Sequence, residues 1–540
     1  MAYIKLIYGG PGTGKTHALL EELEETLKTV PANKIAYVSF TRQGTYQGVD
    51  LAKDKFDLTD DDCVYFKTLH SMAYHALDIG VSDLLSYKDL RPMFSKLGIT
   101  AQKFSTIDSA LTIAQNKQTT ELAIDNYKGI SLGQAHLTTA VYKEYKALLK
   151  KLDYTDLLLL VKEQKVKIPV DVVFIDEAQD LTKLQWQVVL QFFQDAKYWL
   201  VAGDPNQSIF EWAGADVPYF LNMRTDEQRV LEKSYRCCTA VWNMAKSVYA
   251  CIKEKAPIPD KGTDEEGFAI VSQDNELPEN VLYSIAKKGS LLCLALQNSY
   301  LDKYVEYCVT YGIPYAIKLQ GRTNYCIKPS IIKYFRKLTA ILQDTNLFEK
   351  YITNNSSHPR TDSRTDRAIK EQLAKDGIPE WDFTNKETIQ RNIVELINAK
   401  LSTNEDKAFM LRSVLSGNIL IAEDYITITN VHQVKGAEAD YVMLCDNIAG
   451  QYRQRAENDT SYRDYLLRVL YVGVTRARHG IYIWHRNVYS TVAPTYLFCN
   501  VGVLDTIKPI VSAYAEQYIQ ENLKQEGEKD GNKDNKVCVD

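Results

Sequence analysis

The chain has 540 residues, which at about 150 residues per domain predicts three to four domains. Apolar residues make up 45% of the sequence, enough for sizeable cores. The 64 basic and 69 acidic residues give a net charge of −5, which excludes a uniformly basic polymer-binding protein but not a local basic channel. The ten cysteines include no C-x-x-C pair, and no apolar run reaches the ~18 residues of a membrane span. We therefore expect a soluble cytoplasmic protein without disulfide bonds, zinc sites or membrane segments.

The first forty residues have the pattern of a strand, a glycine-rich turn, a helix and a second strand. Apolar residues over 3–8 and 35–40 predict the two strands, and leucines at helical spacing predict a helix over 15–27. Nearly continuous apolar runs at 170–175 and 198–202 are typical of strands covered on both faces of a parallel sheet. This alternation predicts an α/β fold.

The turn after the first strand matches G-x-x-x-x-G-K-[ST], a phosphate-binding loop between a strand and a helix. Its glycines let backbone N–H groups converge on phosphate oxygens, and the helix N-terminus adds partial positive charge. We expect Lys15 to reach the β- and γ-phosphates and Thr16 to bind Mg²⁺. The predicted nucleotide-binding residues of this loop are Gly9, Gly10, Pro11, Gly12, Thr13, Gly14, Lys15 and Thr16.

Two acidic residues end the apolar run at 172–175. Asp176 is predicted to hold the Mg²⁺ shell, and Glu177 to orient and deprotonate the attacking water. Phosphoryl transfer needs mainly positioning and charge neutralisation, which this pair supplies. Thr16 and Asp176 are separated by more residues than a plain nucleotide-binding core places between them. We therefore predict a helical insert at 71–154.

Further short segments follow in order along the chain. They are 39–42, 68–71, 175–180, 203–215, 231–236, 427–438 and 470–478. In sequence and order they resemble motif Ia, motif Ib, the Walker B segment and motifs III to VI of superfamily-one helicases of the UvrD/Rep/PcrA type. The resemblance implies two RecA-like P-loop NTPase domains with parallel sheets, each carrying a mostly helical insert, and a role in DNA replication or repair.

The resemblance also assigns roles to individual residues. Arg236 and Arg476 are expected to contact the γ-phosphate across the cleft between the two domains, a task suited to a planar, always-charged guanidinium. Gln207 is expected to sense the γ-phosphate, Tyr235 to stack on adenine and Glu438 to meet the ribose. The catalytic set so implied is Lys15, Asp176, Glu177, Gln207, Arg236 and Arg476.

Nucleic-acid contacts are expected from aromatic and small polar residues of the same motifs. Aromatic rings stack on bases irrespective of sequence. The candidates are Phe40, Phe210 and Trp212 for stacking, and Thr41, Thr68, His70 and His432 for the backbone. Residues 143–167 carry seven lysines against four acidic residues, which fits either a phosphate track or a solvated helix face.

The predicted domain boundaries follow from the motif positions. They are 1–70 and 155–240 for RecA-like domain 1A, 71–154 for insert 1B, 241–346 and 420–500 for RecA-like domain 2A, 347–419 for a reduced insert 2B, and 501–540 for a C-terminal helix and disordered tail.

The sequence departs from the family pattern at several points. Only eight residues precede Gly9, without the family's glutamine-containing segment, so we expect a relaxed preference for ATP with base recognition resting on Tyr235. Ala213 stands where the family usually has arginine, and Ser234 where asparagine is common. The insert between Leu347 and Leu420 is also short.

The sequence therefore predicts an ATP- and Mg²⁺-dependent DNA helicase that moves 3′ to 5′ on single-stranded DNA and unwinds duplex junctions, as a monomer or weak oligomer. Two alternatives stay open: a single-strand translocase that displaces bound proteins without unwinding, and an ATP-gated nucleic-acid-binding assembly factor. RNA stays open as a substrate because stacking and phosphate contacts serve both polymers.

Overall fold

The computed structural model describes residues 2–39, 50–123, 129–272, 277, 279–343, 386–421 and 425–484. The chain divides into two compact units. The first comprises Met1–Arg236, Ile252–Thr263 and Ser461–Tyr471, and the second comprises Cys237–Cys251, Asp264–Thr460 and the chain from Val472 on.

The first unit is built on a five-stranded parallel sheet with the strand order β2-β3-β4-β1-β5. The strands are β1 (Tyr3–Tyr8), β2 (Ile35–Ser39), β3 (Val172–Asp176), β4 (Tyr198–Gly203) and β5 (Glu227–Val230). Because the strands are parallel, their carboxyl ends share one edge of the sheet. The phosphate loop, the acidic pair and the segment after Gly203 therefore meet at that edge.

Helices cover both faces of this sheet. Alternate residues of the buried strands enter two separate cores, one with helix α1 and one with helices α6 and α7. This two-sided burial explains the near-continuous apolar runs. The helices of the first unit up to β5 include α1 (Lys15–Leu27), α2 (Leu69–Ala76), α3 (Tyr87–Leu97), α4 (Ala101–Lys117), α5 (Leu132–Leu149), α6 (Tyr154–Glu163), α7 (Lys183–Phe192) and α8 (Val217–Leu221).

Residues between α2 and α6 form a helical subdomain with a small core of its own. Phe94, Phe104 and Tyr142 pack ring to ring there, with centroids 4.9 and 5.1 Å apart, and Ile107 and Leu111 complete the apolar cluster. This observed helical content lies where the interval between Thr16 and Asp176 predicts an insert.

The second unit contains a seven-stranded sheet with the order β6-β12-β11-β7-β10-β8-β9, parallel except for the β8–β9 hairpin. Its strands are β6 (Phe268–Val271), β7 (Leu291–Ala295), β8 (Tyr315–Leu319), β9 (Arg322–Tyr325), β10 (Ile426–Asn430), β11 (Ala439–Cys445) and β12 (Ala477–Trp484). The predicted α/β class with two parallel-sheet domains is confirmed.

The remaining helices precede, connect or flank these strands. They are α9 (Thr239–Cys251), α10 (Glu279–Ala286), α11 (Asp302–Tyr311), α12 (Pro329–Gln343), α13 (Lys386–Lys400), α14 (Asn404–Leu415), α15 (Gly450–Asn458) and α16 (Thr460–Val474). Among the residues that the structure describes, no helix combines the length and apolarity required to cross a bilayer.

Candidate nucleotide site and nucleic-acid interface

The phosphate loop connects the end of β1 to the start of α1. Gly12 and Gly14 have φ of +67° and +79°, a left-handed conformation that favours glycine. A Cβ on Gly12 would lie 2.3 Å from the Cβ of Arg236, so only glycine fits. Lys15 Nζ donates to the Gly9 carbonyl oxygen at 2.9 Å. The loop thus presents the unbonded N–H groups of a helix N-terminus beside a lysine, which suits a phosphate.

The acidic pair lies at the carboxyl end of β3. Asp176 is buried, and the Tyr37 hydroxyl donates to its Oδ2 at 3.2 Å. Glu177 has φ of +53°, which is uncommon for a residue with a side chain, and its N–H donates to Asp176 Oδ1 at 2.8 Å. Glu177 Oε1 lies 3.9 Å from Lys15 Nζ. This strained backbone at a polar pocket is typical of a functional site.

The residues present fit a magnesium ion. Burial and the charge of Glu177 raise the pKa of Asp176 above its ordinary value, and burial does the same for Asp204. Several carboxylates therefore share the neighbourhood of the single ammonium of Lys15, an imbalance that a divalent cation would offset. Thr16, on the first turn of α1, and Asp176 supply the hard oxygen ligands that Mg²⁺ prefers.

A chain of buried hydrogen bonds joins the acidic pair to the segment 203–215, which we call the motif III segment. Gln179 donates to Glu177 Oε2 and accepts from the Asp204 N–H at 2.9 Å. Gln207 in turn donates to Asp204 Oδ2 at 2.7 Å. The predicted residues Glu177 and Gln207 are thus linked through Gln179 and Asp204, which sequence reasoning did not single out although both lie inside the quoted motifs.

The segment 231–236 runs beside the phosphate loop. The Tyr235 N–H donates to the Gly12 carbonyl oxygen at 2.8 Å, and the buried Ser234 hydroxyl donates to that of Pro11 at 2.7 Å. Ser234, a departure from the family, therefore holds the loop directly. The Tyr235 side chain is 72% exposed next to the loop, and Arg236 contacts Gly12.

Predicted nucleic-acid residues of the first unit occupy different environments. Trp212 is 53% exposed, and its ring lies edge-on to Phe210 with centroids 6.5 Å apart. Thr68 caps helix α2 by accepting from the Ser71 N–H, and the first turn of this helix places His70 edge-on to Tyr154. Phe40 and Thr41 lie outside the described residues.

Three of the seven lysines in the basic stretch 143–167 are paired with carboxylates of the protein. Lys146 is buried between Asp153 and Asp156, Lys151 pairs with Asp89 at 2.8 Å and Lys167 pairs with Asp195 at 2.9 Å. A charge that is already paired attracts phosphate weakly. These pairs favour a structural role for Lys146, Lys151 and Lys167.

The predicted residues of the second unit are held by local contacts. Arg476 is 1% exposed, and its guanidinium donates to the carbonyl oxygens of Val472 and Ala437 at 3.0 and 3.1 Å. Glu438 is ion-paired to Arg478. Burial, aided by Lys435, lowers the pKa of His432 to about 4, so this imidazole is neutral at pH 7.

The fold and this site define the class of the protein. A phosphate loop between a strand and a helix, an acidic pair ending a neighbouring parallel strand, and a second parallel-sheet unit are the features of a P-loop protein with two RecA-like domains.

Comparison with known proteins gives the family. Residues 3–228 match the model of the UvrD/REP helicase N-terminal domain, and residues 425–484 match that of the UvrD-like helicase C-terminal domain. Together the two matches span more than half of the chain. The chain belongs to the UvrD/Rep/PcrA-like helicase family.

Individual relatives are more distant. The chain is 24% identical over 282 residues to the ATP-dependent DNA helicase PcrA of Staphylococcus aureus (strain Mu50 / ATCC 700699), covering 47% of this chain and 38% of that protein. It is 25% identical over 308 residues to the ATP-dependent DNA helicase PcrA of Bacillus subtilis (strain 168), covering 51% and 41%. The chain thus matches about two fifths of the length of these curated relatives.

Proposed function

We propose that this protein is an ATP-dependent DNA helicase that moves 3′ to 5′ along single-stranded DNA and unwinds duplex ahead of it. One observation carries the proposal: a continuous hydrogen-bonded chain runs from Glu177 through Gln179 and Asp204 to Gln207. Gln207 lies in the same short segment as the exposed Trp212. The proposed nucleotide site and the proposed stacking ring are therefore joined by these hydrogen bonds and by the short segment from Gln207 to Trp212.

The chemistry follows from positions at the carboxyl edge of the first sheet. Lys15 binds the β- and γ-phosphates, and Thr16 and Asp176 hold Mg²⁺, which when bound draws charge from the phosphate oxygens. Glu177 orients the attacking water and accepts its proton. Arg236, which contacts Gly12 of the loop, stabilises the charge that develops on the γ-phosphate.

The other predicted contacts are assigned by family resemblance. Arg476 acts on the γ-phosphate, Tyr235 stacks on the base and Glu438 meets the ribose, after releasing Arg478. Stacking accepts every base, so Tyr235 gives affinity without strict selection of adenine.

Single-stranded DNA is bound mainly by stacking and neutral hydrogen bonds in this proposal. Trp212 and Phe210 stack on bases, and Phe40 adds a third ring. His432 is assigned to the backbone, and burial lowers its pKa to about 4 in the protein without DNA. The remaining backbone contacts are assigned to Thr41, Thr68 and His70.

A strand-displacement assay tests the function. Duplexes with a 3′ or a 5′ single-stranded overhang, of DNA or RNA, are incubated with the full chain and Mg-ATP, with Lys15→Ala as the inactive control. We expect unwinding of the DNA duplex with the 3′ overhang alone. Unwinding from the 5′ overhang contradicts the direction, and preference for RNA contradicts the substrate.

A protein-displacement assay separates the nearest alternative. Streptavidin is bound to a biotin at the end of single-stranded DNA, and its release is followed with ATP. Release without any duplex unwinding identifies a translocase. Absence of both activities, together with ATP-dependent DNA binding, identifies an ATP-gated binding module.

A further inference from the structure

A buried ion pair joins the motif III segment to helix α16 within the first unit. Arg468 is 2% exposed, and its Nη1 pairs with Glu211 Oε1. Its Nη2 donates to the Glu254 carbonyl oxygen at 2.8 Å. Neither Glu211 nor Arg468 has a part in the nucleotide site described above.

Further hydrogen bonds make this junction a network. The carboxylate of Asp464, one turn before Arg468 on α16, accepts from the N–H groups of Lys253 and Glu254 at 3.1 and 3.0 Å. Two residues on, Ala256 exchanges two hydrogen bonds with the side chain of Asn206 in the motif III segment, at 3.0 and 3.2 Å. Helix α16 and the motif III segment are thus joined both directly and through residues 253–256.

Stability alone gives little reason for the ion pair. Burial raises the pKa of Glu211 above its ordinary value although Arg468 acts to lower it, and Asp464 and Glu254 raise it further. A buried ion pair commonly gains little over a neutral pair of similar shape. The ion pair does, however, fix the position of the motif III segment against helix α16.

Glu211 lies between the two aromatic residues that are assigned to base stacking. Glu211 begins a short 3₁₀ turn, Glu211–Ala213, and its neighbours Phe210 and Trp212 are the rings assigned to base stacking. An unpaired carboxylate at this point would repel the phosphates of a bound strand. Pairing with Arg468 neutralises it and anchors the turn that carries Trp212.

We propose that Glu211 is a positioning residue: paired with Arg468, it fixes the turn bearing Trp212 and thereby sets how strongly single-stranded DNA stimulates ATP turnover. The proposal rests on the proposed function and deepens it, because it names the contact that holds the nucleic-acid side of the motif III segment to α16.

The test compares Glu211→Gln, Arg468→Gln and the double variant with the unaltered protein. Asp195→Asn, which breaks the exposed pair with Lys167, is the matched control. ATP turnover is measured with and without oligo-dT, oligo-dT affinity is measured by quenching of tryptophan fluorescence, and the melting temperature is recorded for each protein.

We expect each single variant to lose at least fivefold in the ratio of DNA-stimulated to basal turnover, with weaker oligo-dT binding. The double variant, which leaves neither charge buried without its partner, should recover the ratio to within twofold. The control should match the unaltered protein. If one single variant is too unstable to assay, the other single variant and the double variant still make the comparison.

Parallel losses of basal and stimulated turnover, following the melting temperature, would show a structural role only and overturn the proposal. An unchanged ratio in the single variants, or a double variant no better than the singles, would also overturn it. If the unaltered protein shows no stimulation by DNA, the proposed function itself fails, and the positioning role fails with it. The unaltered protein therefore distinguishes the two failures.

Discussion

Lys15 is the residue on which the nucleotide site depends most directly. Its ammonium already lies within the loop, bonded to the Gly9 carbonyl oxygen and 3.9 Å from the Glu177 carboxylate. In the proposed function, a γ-phosphate that enters the loop replaces the carbonyl as the partner of this charge. Because the contact between Lys15 and Glu177 is long, its loss should lower the stability of the fold only slightly.

We therefore expect Lys15→Ala to lower ATP turnover roughly 100-fold or more while the fold is retained. Turnover is measured at saturating ATP and Mg²⁺, and melting is followed by circular dichroism. Lys28→Ala, at the other end of α1 and paired on the surface with Glu25, is the control. Turnover unchanged in Lys15→Ala would refute the assignment of the phosphate site.

Tyr37 acts through Asp176. Its ring packs between Phe66 and Phe174, and its hydroxyl donates to Asp176 Oδ2, so it fixes the orientation of the carboxylate assigned to Mg²⁺. Tyr37→Phe retains the ring and removes only the hydroxyl. Losing a buried hydrogen bond costs about 1 kcal/mol, which corresponds to roughly a fivefold change in an equilibrium constant.

We expect Tyr37→Phe to raise the half-saturating Mg²⁺ concentration roughly fivefold. Nucleotide affinity measured without metal should be unaltered. Tyr74→Phe on helix α2, outside the strands that carry the site, is the control. Equal Mg²⁺ dependence in the two variants would show that the hydroxyl has no part in positioning Asp176.

At this scale, motif residues could be predicted from the sequence and their partners could not. The G-K-T and Asp-Glu patterns identify Lys15 and Asp176 without a structure. The bond between Tyr37 and Asp176 joins residues 139 positions apart and exists because Tyr37 and Asp176 lie on neighbouring strands in the register that pairs Ser39 with Asp176. Such a pairing depends on strand order, which no local pattern encodes.

Within the helical subdomain, one buried lysine joins helix α5 to the start of helix α6. Lys146 of α5 pairs with Asp153 and Asp156 at the start of α6, and the Tyr142 hydroxyl also donates to Asp153. Asp108 of α4 interacts electrostatically with Lys146 and with the two aspartates. Its burial, with the nearby charges of Asp153 and Asp156, outweighs Lys146 and raises the pKa of Asp108 to about 6.

A raised pKa makes the ionised form of Asp108 costly in the folded state. Its folded pKa of about 6 exceeds its unfolded value, so its protonated form favours folding at pH 4, and this contribution is lost as the pH rises through 6. We expect Asp108→Asn to stabilise the protein at pH 8 by up to about 3 kcal/mol, and to have no effect near pH 4. Thermal melting across this pH range is the measurement. A gain that does not vary with pH would contradict the assigned pKa.

In the proposed function, the motif III segment connects the nucleotide site to the contact with single-stranded DNA. Trp212 is its exposed ring, whereas Gln207 is buried against Asp204. Removing one stacking ring should weaken binding of single-stranded DNA by about 1 to 3 kcal/mol.

Trp212→Ala should therefore reduce DNA-stimulated turnover much more than basal turnover. Both rates are measured over a range of oligo-dT concentrations. Tyr198→Ala is the control, because Tyr198 is equally exposed but lies at the opposite end of β4. Equal losses of both rates in Trp212→Ala would identify Trp212 as a packing residue.

Strands with two buried faces could be predicted from their apolar runs. The run at 198–202 corresponds to β4, and the run at 170–175 overlaps β3. The β8–β9 hairpin escaped prediction because all four residues of its outer strand are exposed and its two-residue turn is Gln320-Gly321. Both turn residues have positive φ, which such a turn requires, but glutamine is an unusual choice where asparagine or aspartate is preferred.

At the scale of the whole molecule, the order of motifs was the most informative feature of the sequence. It predicts two parallel-sheet domains and the helicase family, and segments 175–180, 203–215 and 231–236 lie at the carboxyl ends of strands of the first sheet. The net charge of −5 predicts nothing about nucleic-acid binding, since the relevant contacts are local. The junction between Glu211 and Arg468, 257 positions apart, could not be anticipated.

We propose that ATP hydrolysis in this protein depends on a bound single strand. ATP turnover of the full chain is measured in saturating Mg²⁺ with and without oligo-dT, with Lys15→Ala as the blank. We predict that oligo-dT raises the rate at least tenfold. A rate that is the same with and without the oligonucleotide would contradict the account.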